Sequence, residues 1–121
     1  MKKVALVGHC GPDSTYLKLT IRRADAQAEI LMVDNEEELK QALDAGVHLF
    51  LFNRELSYGF HESLGVDLIK RLRGSHPALK MMLVSNYPEA QAEAVEAGAL
   101  PGFGKRDLGS PKVTALIREA L

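Results

Sequence analysis

Leu49-Phe50-Leu51-Phe52-Asn53 is the stretch that decides the fold. Four consecutive apolar residues leave no polar face, so a strand built from them must be covered on both sides, as in a parallel sheet sandwiched between helices. The run then stops at a neutral amide. Three other short apolar runs stop in the same way: Val4 to Val7 at Gly8 and His9, Met81 to Val84 at Ser85, and Leu100 to Phe103 at Gly104 and Lys105. Ile30 to Val33 supplies a fifth run. As neighbouring parallel strands they bring their carboxyl ends to one rim, the usual ligand edge of an open α/β sheet.

The segments between these runs read as helices. Asn35 and Asp34 precede Glu36, Glu37 and Glu38, a cap followed by carboxylates at the positive helix end, and Leu39, Ala42 and Leu43 form an apolar stripe before Gly46. Val66, Leu68, Ile69 and Leu72 mark the next helix, with Gly74 as its stop. Another runs from about Glu89 to Ala97 before Gly98, and the last opens with Ser110 as cap and Pro111 as first helical residue. The first helix is expected to start near Asp13 or Ser14 and to end before Gln27. Five strands alternating with five helices, joined by right-handed crossovers, predict a doubly wound α/β sheet.

The 121 residues fit one domain, 1–121, with an ordinary apolar content of 46%. Fifteen basic and sixteen acidic side chains give a net charge of -1, which implies no bulk attraction to nucleic acid or to an anionic membrane. A single cysteine, Cys10, excludes an internal disulfide, and no apolar stretch reaches the length of a membrane span or a signal-peptide core. The expected compartment is the cytoplasm.

The order and spacing of the rim residues resemble the receiver domain of two-component response regulators over nearly the whole chain. The resemblance rests on the strand ending in Asn53, the Gly65-Val66-Asp67-Leu68-Ile69-Lys70-Arg71-Leu72-Arg73 helix, Ser85, the Ala97-Gly98-Ala99 triplet, and Lys105 seven positions after Gly98. It implies a CheY-like, flavodoxin-like fold with five parallel strands in the order 2-1-3-4-5 and helices on both faces. In that family an aspartate accepts a phosphoryl group, two acids help hold Mg²⁺, and a hydroxyl residue and a lysine contact the phosphate. Carried over, the acceptor falls on Asn53, the acidic pair on Gly8 and His9, the hydroxyl on Ser85 and the lysine on Lys105. The proline that commonly follows the lysine is Arg106 here, and the aromatic switch position falls on Gly102, one place before Phe103.

Only Ser85 and Lys105 match. An amide is no nucleophile towards phosphorus, and Gly8 and His9 offer none of the hard oxygens that Mg²⁺ prefers. The resemblance is therefore to a degenerate, or pseudo-, receiver that needs no cofactor and binds no Mg²⁺. Its expected role is signalling by phosphorylation-independent protein contact with a sensor kinase or an output domain, not catalysis. It implies a possible homodimer through the fourth helix, fifth strand and fifth helix. Binding of nucleic acid by this domain is not expected.

The remaining candidates have simpler readings. Asp13 reads as a helix cap or turn residue, Glu55 as a solvated loop charge, and Cys10 as a small, partly buried core residue. His48, His61 and His76 have no metal-ligand spacing. Lys105 is expected to bond carbonyls and the Asn53 amide, holding the rim shut. Gly8 to Ser14 reads as a tight turn that lacks the P-loop and GxGxxG patterns. The alternative function is a flavodoxin-like module for a small anion or nucleotide, using that turn and Lys105. Gly65 lies twelve positions beyond Asn53, and the added loop carries Leu56, Tyr58 and Phe60, either as a partner-binding surface or as a lid over the rim.

Overall fold

The computed structural model describes residues 1–56 and 58–121. Five parallel strands, β1 (Lys3–Val7), β2 (Glu29–Val33), β3 (Leu49–Asn53), β4 (Met81–Val84) and β5 (Leu100–Phe103), form one sheet in the order β2-β1-β3-β4-β5. Between and after them run α1 (Gly11–Ala24), α2 (Glu36–Asp44), α3 (Gly65–Ser75), α4 (Pro88–Glu96) and α5 (Pro111–Ala120), with a 3₁₀ turn at Lys105–Asp107.

Alternation along the strands divides the core into two layers. Ala5, Val7, Phe50 and Phe52 pack with Leu39 of α2, Leu68, Ile69 and Leu72 of α3, and Ala94 of α4. On the opposite face Val4, Leu6, Leu49 and Leu51 pack with Leu17 and Ile21 of α1 and with Val113 and Ile117 of α5. β1, β3 and β4 lie between the layers, which is why their apolar runs are continuous. β2 departs from that expectation: as an outer strand it leaves Glu29 exposed and Ile30, Leu31 and Met32 only half-buried.

Two helix boundaries also differ. α1 starts at Gly11, two residues before Asp13, because Pro12 in the first turn forfeits an N–H that has no helical partner there. α3 passes through Gly74 and ends at Ser75; Gly74 does not adopt a positive φ, and Pro77 blocks continuation. The caps at Asn35 and Ser110 form as expected, their side chains accepting from the N–H groups of Glu38 and Val113.

β5 pairs irregularly with β4. Met82 opposes Leu100 and Val84 opposes Phe103, so β5 fits one extra residue into the interval, at Pro101 and Gly102. A side chain at Gly102 would overlap the Leu83 carbonyl oxygen. The aromatic group one place on, Phe103, points into the α1/α5 layer and is buried.

Leu68 is fully buried, whereas Leu19 on α1 is 53% exposed. Leu68→Ala is expected to lower unfolding free energy by about 3 kcal/mol, and Leu19→Ala by less than about 0.5 kcal/mol. Urea titrations with unchanged slope check both.

Candidate functional site

At the carboxyl ends of β3 and β4 lies a cavity of about 270 Å³ lined by Asn53, Arg54, Glu55, Val84, Ser85, Asn86, Tyr87 and Lys105. Three sequence-predicted residues, Asn53, Ser85 and Lys105, therefore converge. Gly8 and His9 stand at the end of β1 but do not line it.

The Asn53 amide is fully engaged. Its Nδ2 donates to the Gly8 and Glu55 carbonyls, both at 3.0 Å, and its Oδ1 accepts from the Arg54 backbone N–H at 3.0 Å. The chain can bend away from β3 here because residue 65 is glycine: a side chain there would overlap the Asn53 carbonyl oxygen.

Lys105 does not bond Asn53, contrary to expectation. Its Nζ reaches Asp13 Oδ2 at 2.7 Å. Asp13 lies in the first turn of α1 and is not its cap; the cap is Cys10, whose side chain makes no capping bond. The Lys105 hydrogen bond holds the Asp13 carboxyl below the ordinary carboxylate range, against a smaller opposing effect of burial and with help from the Cys10 thiol. Cys10 itself is exposed, not a core residue, because the first helical turn carries it out of the sheet.

His9 is buried, and its Nε2 lies 2.9 Å from the Leu51 carbonyl. That contact requires the proton on Nε2 and leaves Nδ1 buried without a partner. Burial pushes the imidazole from its ordinary 6.5 down to about 4, with the Leu51 hydrogen bond opposing and the Lys105 cation reinforcing the shift. His9 is neutral at pH 7.

The loop after Asn53 folds back over the end of β1. Phe60 is 8% exposed, and Leu56 packs against the larger core layer. Gly8 has a φ of +73°, and a side chain there would meet Leu56 Cδ2 at 2.8 Å. Tyr58 projects wholly into solvent. The loop is tied down by the Leu56 N–H to Ser63 carbonyl bond at 2.8 Å and by Arg71, which bonds Glu62 at 2.6 Å and Glu36 at 2.7 Å. Of the three predicted loop residues, Leu56 and Phe60 thus turn inward over the end of β1 and Tyr58 is exposed, and none of them lines the β3/β4 cavity.

Arg54, Asn86 and Tyr87 complete the lining of the cavity and were not legible as site residues in the sequence. The Arg54 guanidinium lies 4.5 Å from the Tyr87 ring centroid and pairs with Glu55 at 2.6 Å. Asn86 Oδ1 accepts from the Arg106 N–H at 3.0 Å. Gln91 Nε2 contacts the Leu83, Ser85 and Phe103 carbonyls at 2.9, 3.1 and 3.2 Å, tying α4 to β4 and β5. The only signal for Arg54 and Asn86 was position, immediately after a strand end. No group of three or more His, Cys, Asp or Glu side chains placed to hold a metal ion occurs among the described residues.

With this geometry, solved structures supply the comparison. A candidate response regulator from Chloroflexus aurantiacus J-10-fl superposes with a TM-score of 0.80 at 18% identity, covering 98% of this chain and 96% of that one. The fold is that of response-regulator receiver domains. The beryllofluoride-activated NtrC4 receiver domain dimer matches at 0.74 and 15% identity over 99% and 96% of the two chains. The NtrX receiver domain from Brucella abortus matches at 0.73 and 17% over 99% and 98%. No protein-family model and no curated protein matches the sequence. No helix among the described residues is long and apolar enough to cross a membrane.

Because folding lowers the His9 pKa, the stabilising effect of its neutral form is complete above the ordinary value of 6.5 and is lost as pH falls towards 4. The native state should lose about 2 kcal/mol between pH 7 and pH 5 through this group. Asp13 acts in the same direction, at pH values below the ordinary carboxylate range. Urea unfolding of the wild type and His9→Gln at both pH values checks the assignment: the variant should lose most of the difference.

Proposed function

We propose that this chain is a signalling module on the receiver fold that works through protein contacts without aspartyl phosphorylation and without Mg²⁺. The observation that carries this reading is the Asn53 amide, which donates to the Gly8 and Glu55 carbonyls from the strand end where a phosphoacceptor would need a free carboxylate. An amide nitrogen has no available lone pair with which to attack phosphorus.

The surrounding groups do not fit a magnesium ion. Gly8 has no side chain, and Leu56 stands 2.8 Å from where its Cβ would be. The His9 Nε2–H donates to Leu51. Asp13 is taken by Lys105, and Glu55 by Arg54. Mg²⁺ requires near-octahedral oxygen ligands, so rebuilding the site would mean breaking both ion pairs and moving Leu56.

In this reading Asn53, Gly8 and His9 are the substituted acceptor and acid positions, and Ser85 and Lys105 are retained from the phosphate-sensing set. Lys105 has exchanged that task for a structural one, pinning the loop after β5 to the start of α1. The module makes no bond-forming contribution of its own. Its partners are a kinase or an output protein in a signalling pathway.

One observation favours a second reading, a small-anion site. Arg54 and Lys105 both line the β3/β4 cavity, and the Ser85 hydroxyl accepts from the Tyr87 N–H at 3.1 Å while keeping its own proton to donate. The Gly8–Ser14 turn, expected to share in such a site, does not line the cavity.

Incubation with acetyl phosphate or beryllofluoride and Mg²⁺ should give no mass adduct and no Mg²⁺-dependent amide shifts around Asn53. A stable adduct would overturn the reading, and Mg²⁺-independent saturation by inorganic phosphate would favour the anion site. Asn53→Asp is expected to remain unphosphorylated and to lose about 2 kcal/mol, since its carboxylate would face two carbonyl oxygens to which the amide donates N–H groups. Intact mass and thermal unfolding read these outcomes.

A further inference from the structure

Leu64 and Tyr87 hold the N-cap positions of α3 and α4, and neither side chain makes a capping bond. A serine, threonine, aspartate or asparagine at either place would satisfy a helix N–H. Core packing does not explain them, since the leucine is 41% exposed and the tyrosine 56%. Both line one cleft of about 240 Å³ between the first turns of the two helices. Val66 and Ala90 complete its apolar floor, and Glu89 and Glu93, four apart on one flank of α4, supply carboxylates. Neither carboxylate has an ion-pair partner among the described residues. Glu89 suits the positive end of α4, but Glu93 lies beyond the first turn and gains nothing there. The neighbouring cations are engaged elsewhere. Arg54, which also lines the cleft, pairs with Glu55 at 2.6 Å and lies 4.5 Å from the Tyr87 ring centroid, and Lys70 of α3 reaches Asp67 at 3.9 Å.

An occupant must bring apolar surface to Leu64, Val66 and Ala90 and positive charge to Glu89 and Glu93. A carboxylate or phosphate would meet two like charges, and a neutral apolar molecule would take water from two carboxylates without replacing it. The volume is below the roughly 300 Å³ at which drug-sized sites begin, so it suits a short unbranched chain. We propose that the α3–α4 cleft binds an aliphatic amine, a short alkyl chain ending in an ammonium group. A free diamine and a lysine side chain of a partner protein share that chemistry. Arg54 and Tyr87 line both this cleft and the β3/β4 cavity, so a bound amine touches a wall of the rim with no phosphate involved. The proposal goes beyond the protein-contact reading above and does not rest on it.

The direct test titrates the isotopically labelled chain with 1,5-diaminopentane. Controls are 1,5-pentanediol and pentanoate, which keep the chain and remove or reverse the charge. Saturable amide shifts should cluster at residues 64–66 and 87–93, with a dissociation constant on the order of 1 mM, and be absent with both controls. Glu89→Gln and Glu93→Gln should each weaken binding about threefold. Glu96→Gln removes the same charge from the same helix outside the cleft and should bind as the wild type does. Leu64→Ser should also weaken binding about threefold, without loss of stability in urea, since serine can cap α3. A short blocked peptide with one central lysine separates the two sources: tighter binding than the diamine assigns the cleft to a partner's lysine, and weaker binding assigns it to a free amine. No saturable binding of either amine, equal binding of pentanoate, or shifts centred elsewhere would overturn the proposal. So would equal weakening by Glu93→Gln and Glu96→Gln, which would reduce the effect to general attraction by an acidic helix. A phosphoadduct at the rim would remove the phosphorylation-independent reading and leave the amine result standing, so the two failures are distinguishable.

Discussion

Two carbonyl oxygens, those of Gly8 and Glu55, face the end of β3, and the arrangement around them depends on a side chain that donates. Asn53 does so twice, at 3.0 Å each, while its own oxygen accepts the next backbone N–H. A carboxylate has the same shape but no proton at neutral pH, and would convert two favourable contacts into two repulsive ones. The amide therefore joins the end of β1 to the loop after β3, and that closure determines where Leu56 and Phe60 come to rest.

The neighbouring residues fit this closure physically. Gly8 adopts a positive φ and leaves room for Leu56, which a side chain would displace. His9, neutral and buried, bonds a strand carbonyl in place of bearing charge beside Lys105. With no acid on β3, Lys105 finds its countercharge in Asp13 on α1. These features are coupled: a side chain at position 8 strikes Leu56, a carboxylate at 53 meets carbonyls, and a freed Lys105 leaves Asp13 unpaired.

What was legible in the sequence followed from local rules. Continuous apolar runs marked the strands because they are covered on both faces, and Asn35 and Ser110 marked helix starts because their side chains satisfy N–H groups within three residues. Convergence of Asn53, Ser85 and Lys105 followed from strand ends meeting at one rim. The contacts that were not legible span long sequence distances or depend on direction. Nothing local to Asp13 announces a partner 92 positions away at Lys105, and nothing in Leu56-Ser57-Tyr58 says that the leucine turns in while the tyrosine turns out. Cys10 was misplaced for a related reason: its apolar character favoured burial, but the start of α1 two residues earlier than expected carried it to the surface.

A rim closed by its own side chains changes what regulation of such a module requires. A two-state switch needs a ligand that binds one state better than the other, and the size of the shift is limited by that difference in affinity. Here Lys105 is paired with Asp13 and the strand end is held by the Asn53 amide, while the Ser85 hydroxyl accepts from Tyr87 and keeps its proton to donate. On the far side of β4, Gln91 holds α4 to three carbonyls, and Gly102 has no side chain with which to move against it. Both ends of the path from rim to α4 are thus fixed by hydrogen bonds made within the chain. In the proposed reading, a surface held in one arrangement transmits no state of its own, and its occupancy follows the partner's concentration.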